Sequence, residues 1–172
     1  MLTVNPTSAQ ESSTWSIIRD RVLAPNCASC HVAGSSFARQ SGLVLTPDIA
    51  YTQLVSQPPT NKAAREDGLL RVGTEGLESF FSSFLWEKID AANQEHFYSD
   101  HPFYGALMPL GGQPLTNGEL ELIKRWIIAG APETTAIAGA DETLLADSTR
   151  FENLPFAPLP LPQRGLQLRL GP

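Results

Sequence analysis

The sequence predicts an all-α fold gathered around one short cysteine–histidine turn. Three observations carry that prediction. Near the start, Trp15, Ile18 and Val22, with Ile17 beside them, recur at helical spacing. Near the other end, Thr116 and Glu119 form a capping box ahead of a helical face of Leu120, Ile123, Trp126 and Ile127. Directly after the first helix stands Cys27-Ala28-Ser29-Cys30-His31, which holds both cysteines of the chain.

Taken in order, residues 1–13 read as a flexible lead-in of Ser, Thr, Asn and Pro. The first helix begins at Thr14, capped by Ser13 or Thr14, and Pro25 and Asn26 close it. A small-residue loop carrying Arg39 follows over 32–42. The apolar run 42–45 should lie against the core or against whatever group the cysteine–histidine turn holds; a strand competes, but it would have no partner. Thr46-Pro47-Asp48 has cap chemistry for a short helix through Leu54 that ends before Gln57-Pro58-Pro59. Leu69, Leu70 and Val72 are apolar, and Gly73 and Gly76 bracket a turn. A helix is predicted over 79–91 from Phe80, Phe84, Leu85, Trp86 and Ile89, then a polar aromatic loop over 92–107. The last helix stops at Gly130 and Pro132. Beyond residue 132 the chain reads as a Pro-rich linker or wrapping tail toward a missing domain. Its run 155–162 favours polyproline II.

Length and composition bound the function. A chain of 172 residues, 42% hydrophobic, fits one domain with a globular core. Eighteen acids against twelve bases give a net charge of −6. That balance argues against nucleic acid or an anionic membrane as partner, and favours a partner with a basic patch. No apolar stretch is long enough to span a membrane. No basic-then-apolar leader opens the chain, so the expectation is a mature or excised part of a longer protein.

C-x-x-C-H is the attachment signature of c-type haem. Two thiols on one turn can each bond a vinyl group of the same porphyrin, and His31 then offers its imidazole as fifth ligand. Structural zinc wants a second ligand pair, and only His96 and His101 remain. A thioredoxin-like motif wants a βαβ pattern, which is missing. A disulfide across so short a loop would gain little entropy.

The sixth ligand is expected to be Met108. Apart from Met1 it is the chain's methionine, Pro109 stiffens it, and Gly111 and Gly112 allow a tight loop before a helix. A thioether favours ferrous iron and raises the potential. A core gap-filler is the plain alternative, and His101 or His96 would make a bis-histidine site.

A helix, C-x-x-C-H, a variable middle, Met-Pro-x-Gly-Gly and a helix ending Trp-Ile-x-x-Gly-Ala-Pro together resemble the class I cytochrome c domain. The resemblance covers roughly 14–132 and is narrower toward haem domains attached to larger multidomain bacterial proteins. It implies first and last helices that cross, packing Trp126 and Ile127 on Ile18 and Val22. It also implies tethering at Cys27 and Cys30, axial ligation by His31 and Met108, and a periplasmic or extracellular location. Many members have a proline soon after the histidine whose carbonyl holds the imidazole. Here the first is Pro47, so a carbonyl within 42–45 is the expected substitute. The stretch between the two axial residues is also longer than in compact members.

The expected activity is one-electron transfer with a redox partner or fused domain, with no catalytic residues. Leu43, Leu45, Leu107 and Leu110 are expected to ring the haem. Arg39, Arg65, Arg71, Tyr98 and Trp86 are candidates for its propionates. Two other readings compete: a haem sensor whose sixth ligand leaves to admit a small molecule, and a module whose haem only holds the fold.

Overall fold

The computed structural model describes residues 12–151, and these are all-α: isolated bridges occur among them but no strand. A continuous N-terminal rod is made of α1 (Thr14–Ile17), a π segment (Ile18–Leu23) and α2 (Ala24–Asn26). Ser13 caps it, accepting the Ser16 amide at 3.1 Å. Pro25 offers no N–H to the Arg21 carbonyl and crowds it, a local cause for the π widening. Then come α3 (Ser36–Ser41), α4 (Ala50–Leu54), α5 (Lys62–Glu66), α6 (Leu77–Phe81), α7 (Phe84–Ile89), α8 (Gln94–Asp100) and α9 (Asn117–Ile128).

The rod and α9 form the main core. Trp15 and Trp126 stack with ring centroids 5.1 Å apart, and Ile18, Val22, Ile123 and Ile127 are wholly buried. The Trp126 indole N–H donates to the Pro132 carbonyl at 2.9 Å. Helix α9 ends in a Schellman motif, with the Gly130 amide on Ile127 and the Ala131 amide on Trp126. Its start is the capping box. Thr116 accepts the Glu119 amide at 3.1 Å, and Glu119 accepts the Thr116 amide at 2.7 Å. Thr116→Ala strands a buried amide and should lower the unfolding free energy by about 1 kcal/mol, read as an earlier urea midpoint.

Four expectations need correction. The segment 32–42 is not all loop, because α3 forms within it. Ser35 caps that helix, accepting the Ala38 amide at 3.0 Å. The helix over 79–91 is split into α6 and α7. The backbone of Ser82 to Leu85 turns outward to bond Leu70 and Arg71, and the Ser83 hydroxyl donates to the Ser79 carbonyl at 2.5 Å. The loop over 92–107 contains a 3-10 turn (Ala91–Asn93) and α8, which buries Phe97. In addition, the helix expected from Thr46 begins only at Ala50.

The middle section builds a second small core of Ala64, Leu69, Phe97 and Tyr104. Lys88 crosses its edge. The ammonium donates to the Tyr104 carbonyl at 3.0 Å and lies 5.3 Å from the Phe97 ring centre. Burial pushes its pKa down to about 8. The folded value is below the unfolded one, so folding disfavours the charged form. The penalty is constant below pH 8 and is relieved as pH climbs from 8 toward the ordinary value. Between pH 8 and 10 the unfolding free energy of the wild type should therefore rise relative to Lys88→Met, measured by urea titration of both at each pH.

After Pro132 the chain turns back onto the body. The Thr14 amide donates to Thr135 and its hydroxyl to Ala140 at 2.8 Å, while the Ile137 amide donates to that hydroxyl at 2.9 Å. The amides of Asn117 and Gly118, orphan donors at the start of α9, go to the carbonyls of Thr149 and Asp147. A Cβ at residue 118 would collide with the Leu144 carbonyl, so glycine is what lets this segment seat. A 3-10 turn (Glu142–Ala146) lies within it. Residues 1–11 of the 1–13 lead-in and the proline-rich run 155–162 fall outside the described residues. No described helix is long and apolar enough to cross a membrane.

Candidate cofactor-attachment site

The Cys27–His31 turn hangs from the end of the rod by backbone bonds. The Cys27 and Ala28 amides reach Leu23, and the His31 amide reaches Cys27 at 3.0 Å. The last of these closes a hydrogen-bonded turn that runs from Cys27 to His31 beyond the end of α2. Asn26 donates to the Val22 carbonyl and, at 3.0 Å, to Glu119 of the capping box. The turn is thus pinned to both core helices.

From the other side, the Ser35 hydroxyl donates to the Cys30 carbonyl at 2.5 Å while capping α3. Helix α3 ends at Gly42, whose φ is +60°. A side chain there would meet the Thr60 methyl, so both conformation and space require glycine. The left-handed turn sends the Leu43 carbonyl back to His31, 3.1 Å from Nδ1. A carbonyl only accepts, so Nδ1 carries the proton and Nε2 the free lone pair. The Leu45 amide closes the loop on the His31 carbonyl at 2.8 Å. An acceptor was expected within 42–45, and Leu43 supplies it.

Both cysteines are free thiols, Cys30 exposed and Cys27 half-buried against the main core. Burial first, then the charges of Glu119 and Cys30, push the Cys27 thiol up to about 11. No group of three or more metal-ligating side chains occurs among the described residues.

Met108 is partly buried and packs on the main core, as do Cys27 and Leu43. Its amide donates to the Lys88 carbonyl at 2.6 Å, so α7 fixes its position. Leu45 is buried in the same core. Of the other two proposed crevice residues, Leu107 packs on the second core and Leu110 is 55% exposed. His96 is exposed beside Asp100, and His101 stacks on Tyr104 with ring centres 4.3 Å apart. Of the propionate candidates, Arg39, Arg65 and Tyr98 are exposed, Trp86 is half-buried against Phe80, and Arg71 is buried.

Residue 43 acts through its backbone carbonyl, and residues 35 and 42 position the turn; none of these roles follows from residue type alone. The Ser35 cap and the glycine at 42 were the available signals. The donor set fits a covalently held haem: paired thiols, an imidazole with Nδ1 engaged, and a thioether on the same core. No protein-family model, curated protein or solved structure matches the chain.

Proposed function

We propose that the chain is a mono-haem c-type cytochrome domain that passes single electrons to or from a redox partner or fused domain. The observation that carries the reading is the Cys27-x-x-Cys30-His31 turn with Nδ1 engaged by the Leu43 carbonyl. When bound, a haem would supply a one-electron couple, with Cys27 and Cys30 to tether it and His31 Nε2 and Met108 Sδ to hold its iron. The Leu43 carbonyl fixes the imidazole plane and makes it a stronger donor. The packing of the rod on α9, with Trp15 stacked on Trp126, supports a cytochrome c-like fold.

Met108 is favoured over the histidines because it shares the main core with Cys27 and Leu43, whereas His101 is engaged with Tyr104. A partner with a basic contact surface and a periplasmic or extracellular location belong to the same proposal. The test is co-expression with a cytochrome c maturation system, then extraction with acidified acetone. Haem should stay with the wild-type chain and be only partly retained in Cys30→Ala. Haem that washes out of the wild type would end the reading.

A further inference from the structure

Among the described residues Arg71 is the buried charged side chain, 9% exposed, and no carboxylate pairs with it. A buried charge without a counterion is costly, so its contacts matter. One guanidinium nitrogen donates to the Gln53 carbonyl and another to the Gly42 carbonyl, both at 2.8 Å. Its own backbone is locked between two neighbours, its amide on Gln57 and its carbonyl accepting from Leu85. Gly42 directly precedes Leu43, whose carbonyl holds His31 Nδ1, and Leu45 bonds the His31 carbonyl.

We propose that Arg71 is a positioning residue for His31, a planar fork that fixes the 42–45 loop against α4 and thereby aims the Leu43 carbonyl at the imidazole. The role rests on the haem reading above for its consequence, though the contacts stand without it. Arg71 touches neither reacting atom nor ligand. It acts through the loop.

The test compares wild type, Arg71→Met and Arg71→Lys as reduced, haem-bearing protein, following hydrogen exchange by NMR at three sites: His31 Nδ1–H, the Leu45 amide and the Trp126 indole N–H. The last is an internal reference, because it bonds Pro132 in the main core. Loss of one charge-assisted bond should speed exchange at His31 and Leu45 about tenfold relative to Trp126. Lysine keeps the charge but is a point donor without the fork's geometry, so Arg71→Lys should show the same selective loss. Equal acceleration at Trp126 would reduce Arg71 to general stability and overturn the proposal. Unchanged exchange, or full rescue by lysine, would overturn it as well. Should the wild type carry no covalent haem, the functional reading fails separately, and the Leu45 amide in the haem-free chain still decides for or against the clamp.

Discussion

Met108→Ala in the haem-bearing chain is expected to lower the reduction potential by on the order of 0.1–0.3 V, a fraction of the roughly 0.8 V that axial-ligand choice spans. A thioether is a soft donor that favours the ferrous state, and alanine leaves that face to water or to nothing. The backbone at residue 108 should hold, since its amide bond to Lys88 does not involve the side chain. The variant should therefore fold, bind carbon monoxide when reduced, and lose the weak red band of methionine-to-ferric charge transfer. Potentiometry and spectra check all three. An unchanged potential and spectrum would mean that sulfur does not ligate and that Met108 is only a core residue.

Trp126→Ala should cost about 3–5 kcal/mol of stability, a large part of the 5–15 kcal/mol that a domain typically has. Its ring is wholly buried, stacks on Trp15, and donates to Pro132, so three contacts go together. The loss falls on the seam that joins the rod to α9, and the Cys27 turn hangs from the rod. Denaturant titration should give a much earlier midpoint, and a loss below about 1 kcal/mol would deny that this seam holds the fold. Phe97→Ala, in the second core, is the control for a large ring lost away from the seam.

Legibility in the sequence followed the length of the periodic signal. The rod and α9 could be read because apolar spacing, caps and stops agree within each. Ser13, Thr116, Glu119 and Gly130 all do what their residue types suggest. The middle could not be read as well. The 69–72 run bonds residues 54–57 on one side and 82–85 on the other, and those long-range backbone bonds cut a continuous helical pattern into α6 and α7. Helices α5 and α8, of five and seven residues, are too short to stand alone and take their stability from a second core assembled by distant residues.

At the candidate site, spacing singles out Cys27, Cys30 and His31, and neighbouring residues single out Met108. The expectation of an acceptor within 42–45 came from the missing proline. Around that acceptor, Ser35 and Gly42 carry a cap and a turn signal, whereas Arg71 bonds backbone carbonyls, which side-chain patterns do not encode. Leu107 and Leu110 flank Met108 in sequence, yet one packs on the second core and the other is exposed, because adjacent residues point different ways.

Absorption spectra of the matured protein, oxidised and reduced, test the central claim most directly. A covalently bound haem that is low-spin when reduced, with the weak red charge-transfer band when oxidised, is the predicted result and assigns His31 and Met108 as the axial pair. A high-spin spectrum would leave the sixth position open and contradict the electron-transfer reading in favour of a ligand-binding one.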